Sequence, residues 1–154
     1  MARIVGLDPG ERRIGVAVSD PTGTIATPHG WLDAEAAELT ETIGSLCADV
    51  EATVVVIGLP VALDGTEGPA ARRSRELGDR IAEALDVSVR YADERFTTVT
   101  AEAALIEGGV RRADRKLRRD QVAAAVMLQA YLDREAHRRP AGDGGHPDDP
   151  RDDA

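Results

Sequence analysis

Three acidic positions stand where packing and turn chemistry alone do not require them: Asp8, the pair Asp93-Glu94, and Asp120. Asp8 ends the apolar run that starts at Arg3 and directly precedes Pro9-Gly10. Strand alternation puts Ile4, Gly6 and Asp8 on one face. Taken alone, Asp-Pro-Gly is a turn, with Asp common at its first position. Gly6, Gly10 and Gly15 also leave room for a ligand to approach the backbone. Asp93-Glu94 follows the strand-like run Val87 to Ala92. Ligand groups in open α/β sheets gather at the carboxyl ends of strands. Adjacent residues there point to opposite faces, so one carboxylate of the pair can enter a given site. Polarity ahead of a helix cap is the plainer account of the same two residues. Asp120 is expected to open the last helix, at the head of an apolar stripe of Ala124, Met127 and Tyr131. It either complements the helix dipole or faces a partner, since an unpaired desolvated charge is costly.

Carboxylates drawn from three distant segments to one sheet end would repel each other. Divalent cations resolve that conflict. Mg²⁺ and Mn²⁺ prefer oxygen ligands, and one or two carboxylates plus water and substrate phosphates suffice to hold them. Two such ions can activate water and stabilise the leaving oxygen in phosphodiester cleavage.

The charge of the whole chain argues against a polyanionic substrate. Of 154 residues, 28 are acidic and 19 basic, for a net charge of −9. The distribution reverses that reading. From Arg111 to Arg119 there are five Arg, one Lys and one Asp, a local +5. Arg111, Arg112, Arg115 and Lys116 could hold phosphates there, because Arg forks onto phosphate oxygens. A solvated loop is the plainer reading. Arg72, Arg73 and Arg75 fall early in an expected helix, where cations oppose the dipole, and phosphate contact would explain the placement. Arg12 and Arg13 flank the first turn, and Arg95 adjoins the second acidic position. Aromatics are few, with one Trp, two Tyr and one Phe, so base stacking over a broad surface is not expected. Recognition should be of backbone and shape.

Several classes drop out. A single cysteine, Cys47, excludes a disulfide framework and a Cys-rich zinc site. His29, His137 and His146 form no metal-binding spacing. The one lysine, Lys116, is not in a P-loop, and no Ser lies in a nucleophile elbow. The longest apolar run, Val122 to Leu128, is far too short to span a bilayer. The N-terminal residues lack a secretory pattern, so a cytoplasmic location is expected.

These residues need a scaffold. Arg3 to Asp8 and Arg13 to Asp20 read as an antiparallel hairpin about Pro9-Gly10, with a weaker third strand from Thr24 to Trp31. Asp33 is a fair N-cap for a helix to about Val50, with Ala36, Leu39, Ile43 and Leu46 at helical spacing. Thr53 to Ile57 is a continuous β-branched run, as in a strand buried on both faces of a parallel sheet. Thr66 can cap the next helix, with Ala70, Ser74, Leu77, Ile81 and Leu85 on one face. After the strand Val87 to Ala92, Thr97 or Thr98 caps a helix to about Glu107, which Gly108-Gly109 ends. Residues 110–118 read as a charged loop, and Arg119 to about Arg134 as the final, buried helix. The last 15 residues hold three Pro, three Gly, five Asp and nothing apolar larger than Ala. They cannot repay the entropy of ordering. The expected organisation is a folded domain over 1–139 and a disordered acidic tail over 140–154. The element order βββαβαβαα predicts an α/β, RNase H-like mixed five-stranded sheet, three antiparallel strands then parallel βα units, with helices on both faces.

Four strings reinforce this: GLDPGERRIGVAVSD at 6–20, VIGLPVALDGTEGP at 56–69, DERFTT at 93–98 and KLRRDQVAAAVMLQAYLD at 116–133. In this order they resemble the YqgF (RuvX) family of RNase H-like nucleases, and the likeness covers about residues 1–134. The resemblance implies a nuclease that trims the 5′ end of precursor 16S ribosomal RNA. The family is also described as a Holliday junction resolvase through its likeness to RuvC. It places the acidic motif positions, as catalytic and Mg²⁺- or Mn²⁺-binding residues, on Asp8, Glu94 and Asp120, with Asp93 in reserve. The chain departs from the family where Leu-Asn-Met-Asp-Gly is usual. Val61-Ala62-Leu63-Asp64-Gly65 stands there, without the Asn amide.

The leading expectation is a metal-dependent nuclease whose partner is nucleic acid, either precursor rRNA or branched DNA, with no membrane. Oligomeric state is not legible. A catalytically silent RNase H-like binding module is the alternative that the missing Asn keeps open. An actin-like phosphotransferase would need two such domains around its nucleotide. Metal-stimulated cleavage of RNA and of four-way DNA discriminates among them.

Overall fold

The computed structural model describes residues 3–96 and 112–138. Five strands form one sheet in the order β3-β2-β1-β4-β5. β1 (Arg3–Pro9) and β2 (Arg13–Ser19) make the expected hairpin, with Asp8 opposite Gly15 and Pro9 opposite Ile14. The Gly10 N–H donates to the Arg13 carbonyl and closes the turn. β3 (Ala26–Asp33) pairs antiparallel with β2 on the outer side. β4 (Ala52–Leu59) lies parallel to both β1 and β5 (Ser88–Asp93). The β-branched run of β4 thus sits where a parallel strand is covered on both faces.

The two faces carry separate cores. Val5, Leu7, Ile14, Val16, Val55 and Ile57 pack under α1 (Leu39–Asp49) and α2 (Pro69–Ala84). Ala17, Val56 and Ala92 pack under α3 (Arg112–Arg138), against Ala124, Met127, Leu128 and Tyr131. The stripe of Ala124, Met127 and Tyr131 read from the sequence is therefore buried. Gly6 permits this close docking, because a Cβ there would stand 3.0 Å from the Leu128 Cβ. Leu132 lies beside Ile4, and the Gln129 amide bonds Thr24 and Ala26, next to the start of β1. α3 therefore runs antiparallel to β1, and its turns before Leu128 head toward the Asp8 end of the sheet.

Four boundaries differ from expectation, each for a local reason. Asp33 does not cap a helix, because β3 stays paired with β2 through Arg13 opposite Asp33. Its carboxylate instead accepts the Glu35 N–H, and α1 begins at Leu39. Thr66 does not cap α2 either. Its hydroxyl and N–H both donate to Asp64, and Gly68 is the N-cap, with Pro69 in the first turn. The buried face of α2 begins at Ala71 rather than Ala70. The expected loop over 110–118 is helical from Arg112, so α3 is 27 residues long. Nothing between Arg112 and Arg138 is Gly or Pro, and Arg, Lys, Ala and Leu are good helix formers. Asp120 consequently sits in the third turn of α3 and does not open it. The helix expected at 97–107, Arg111 and the tail over 140–154 lie outside the described residues.

Candidate active site

Alternation and register together build one corner of the α3 face. On β1 that face carries Ile4, Gly6 and Asp8; on β4, Val54, Val56 and Gly58; on β5, Arg90 and Ala92. Gly6 pairs with Val56, and Gly58 with Ala92, so the rows end together. Glu94 follows β5 directly, in a single 3₁₀ turn of Glu94–Phe96.

The rows end on an acidic pair. A Cβ built on Gly58 would stand 2.7 Å from Oε1 of Glu94 and 3.2 Å from Oδ1 of Asp8. The two carboxylates thus reach over the same backbone atom from the flanking strands. The space between them exists because residue 58 has no side chain. Both residues are half-buried.

Asp93 turns away from this pair. It accepts Nε of Arg95 at 2.9 Å and Nη2 at 2.5 Å, and the Arg95 backbone N–H at 2.9 Å. The Arg95 guanidinium holds the Asp93 carboxyl below its usual range. Adjacent carboxylates do divide between two environments, as alternation requires, and Glu94 is the one that meets Asp8. Asp120 is carried by α3, two turns N-terminal of Leu128 and a little more; its side chain lies outside the described residues. Among the described residues no three His, Cys, Asp or Glu side chains cluster for a metal.

The candidate phosphate-binding arginines divide as well. Arg13 lies over the Trp31 ring at 5.7 Å. Arg95 is engaged by Asp93, and its Nη1 points to the carbonyls of Ala62 and Leu63 at 3.5 and 3.4 Å. Arg73 lines a cleft of about 250 Å³ with Pro9, Gly10, Glu11 and Arg80, on the α1–α2 side of the sheet. Among the described residues the side chains of Arg12 and Arg72 are exposed, with no ion pair. Arg112, Arg115 and Lys116 share one side of α3 by spacing, a regularity that a loop would not have.

The loop that departs from the family pattern at Ala62 forms a self-contained turn. The turn after β4 is exposed from Ala62 to Pro69 and closes on itself through a bridge between Val61 and Glu67. Asp64 accepts the Thr66 N–H and hydroxyl, and Gly65 adopts φ +90°. The Asp-Gly signal marks the turn; its tie to Arg95 is a tertiary contact that no local pattern carries.

A mixed sheet in this order, helices on both faces and acids at the carboxyl ends of β1 and β5 define an RNase H-like α/β domain. Residues 2–134 match the RuvX family, described as Holliday junction resolvase, and the chain belongs to that family. A Lactococcus lactis protein named "putative pre-16S rRNA nuclease" is 46% identical over 138 residues, covering 88% of this chain and 96% of that one. A Myxococcus xanthus protein of the same name is 45% identical over 150 residues and covers 96% of each. Among solved structures, T. thermophilus RuvC in complex with a Holliday junction substrate aligns with a TM-score of 0.53 at 15% identity. That alignment covers 88% of this chain and 97% of RuvC. Such a likeness speaks for the fold. No described helix is long and apolar enough to cross a membrane.

Proposed function

We propose that this protein is a divalent-metal-dependent nuclease that hydrolyses phosphodiester bonds, with Asp8, Glu94 and Asp120 as its acidic residues. The observation that carries the reading is the pair of carboxylates converging over Gly58. Two like charges held together on a sheet end are unfavourable alone and favourable around a cation. The donors are all oxygen, the set that suits Mg²⁺ or Mn²⁺. The direction of α3 supports Asp120 as the third acid, since its turns before Leu128 head for this end. Spacing sets Asp120 on the stripe of Ala124, Met127 and Tyr131, which faces the sheet. Such ions, when bound, would activate water and stabilise the leaving oxygen of the cleaved bond. The chain's own part is to hold the carboxylates in place, keep position 58 open and offer arginines to the phosphates.

The names of the relatives favour precursor 16S ribosomal RNA as substrate, and the family resemblance of the sequence motifs favours a cut at its 5′ end. A four-way DNA junction is the second reading, favoured by the family description and by the fold shared with RuvC. The experiment that tests both is cleavage of labelled precursor rRNA and of a synthetic four-way junction, with and without Mg²⁺ or Mn²⁺. Metal-stimulated cutting of the rRNA at its 5′ side is the expected outcome. Cutting of the junction alone would reverse the order of the two readings. Binding without cutting of either would favour the silent module.

A further inference from the structure

The 61–67 turn rises from the end of β4, the strand that lies between those bearing Asp8 and Glu94. It therefore stands at the mouth of the acidic pair. Its internal bonds shape it but do not fix it to the body of the protein. Ala62 donates to the Thr66 carbonyl and Gly65 to the Ala62 carbonyl. Among the described residues, two arginines supply outside ties. At the base, Arg75 forks onto Glu67 at 2.9 and 2.7 Å. At the tip, Nη1 of Arg95 faces the carbonyls of Ala62 and Leu63. Arg95 is itself aimed by Asp93, which occupies Nε and Nη2 and leaves Nη1 directed at the turn.

We infer that Arg95 is a positioning residue for the nuclease reaction: held by Asp93, it fixes the 61–67 turn beside the carboxylates as one wall of the substrate groove. The inference rests on the nuclease reading and deepens it. Arg95 immediately follows Glu94, so one short segment sets both the acid and the wall. The contact is made to backbone carbonyls, so Ala62, where the family usually has Asn, does not weaken it. The turn so held presents Leu63, which is 92% exposed, to whatever enters the groove. Asp93 thereby acquires a role that does not involve the metal.

The test uses the full chain with Arg95→Gln, Asp93→Ala and the double variant. Three quantities are read: amide exchange of residues 62–67 without substrate, single-turnover cleavage at saturating substrate, and the salt dependence of binding. In each single variant the amides of Ala62 and Gly65 should exchange at least about tenfold faster, as expected when a local opening becomes easier. Cleavage should slow by about tenfold, and the double variant should be no slower than the slower single, because the two residues act as one unit. The salt slope of Arg95→Gln should match the wild type. A slope flatter by about 0.7 to 0.9 would assign Arg95 to a phosphate and overturn the inference. Unchanged amide exchange in Arg95→Gln would overturn it too. A wild-type chain that cuts no nucleic acid would defeat the nuclease reading, whereas the exchange data decide the tether on their own.

Discussion

Asp8 on β1 and Glu94, just past the end of β5, belong to strands that are not neighbours, yet their carboxylate oxygens flank one point above Gly58. β4 separates them, and the missing side chain of β4 at that row opens the gap. Asp8→Asn is therefore expected to abolish metal-dependent cleavage without unfolding the protein. Removing one of two like charges should leave Tm without metal equal or higher. The rise in Tm on adding Mn²⁺ should shrink, since ligand stabilisation follows affinity. Thermal melts with and without Mn²⁺, run beside a cleavage assay, check this. Full activity in the variant would remove Asp8 from the site.

Gly58→Ala probes the same geometry from beneath. The new methyl would press on Glu94 at 2.7 Å, a distance that real Cβ contacts do not adopt. The Glu94 carboxylate, the far end of a flexible side chain, must swing aside, which costs the fold little but moves it off the point it shares with Asp8. Cleavage and the Mn²⁺ shift in Tm should both fall, although neither carboxylate has been touched. An active, metal-responsive Gly58→Ala protein would show that the pair does not work at this spacing.

Much of this was legible in the chain. Strand alternation alone grouped Ile4, Gly6 and Asp8, and the β-branched run of β4 announced a strand covered on both faces. It also separated Asp93 from Glu94. What the residues could not show is where tertiary pairing overrides local signals. Asp33 looks like a cap but is claimed by the β2–β3 ladder. Arg112 to Arg118 looks like a charged loop because charge, not apolar periodicity, dominates it; helix propensity wins there. The role of Gly58 was equally hidden, since it depends on side chains from two other strands. That Asp93 takes the fork of Arg95 was hidden as well.

Asp20 offers a pH signature. Its carboxylate accepts the N–H of Ile25 and of Thr24 and the hydroxyl of Thr22, and these bonds hold its pKa at about 2. The folded value lies below the unfolded value of 3.8, so the charged form is favoured by folding. Its contribution to the 20–25 turn is full above the unfolded value and is lost as pH falls through about 2. A carboxyl NMR titration should place the Asp20 midpoint near that lower value. A midpoint at the ordinary Asp value would mean that the turn is open in solution.

Deleting residues 140–154 should leave Tm and cleavage unchanged. Apart from three Pro, the segment has no apolar side chain larger than Ala to pack. A Tm lower by several degrees would show that it docks on the domain. Tighter binding of RNA by the truncated chain would show that its acidic residues compete with the substrate for the arginines.

The basic stretch before Asp120 should contribute affinity rather than chemistry. Arg112, Arg115 and Lys116 recur at helical spacing in the first turns of α3, and Arg111 adjoins them in sequence. A phosphate backbone also presents charge at regular intervals, and each neutralised phosphate releases a counterion. Changing all four residues to Ala should weaken binding to every sequence alike. The plot of log affinity against log salt should flatten by up to roughly 3 units if all four make contact. Turnover at saturating substrate should persist, because β1, β4 and β5 set the backbone that carries Asp8 and Glu94. Alanine is also a strong helix former, so α3 should keep its length and the backbone at Asp120 its place. Circular dichroism checks that last condition. Binding at several salt concentrations and single-turnover cleavage check the rest. An unchanged salt slope would show that these charges face solvent. A slope that flattens together with a loss of turnover would mean that the start of α3 also helps to place Asp120 at the acidic pair.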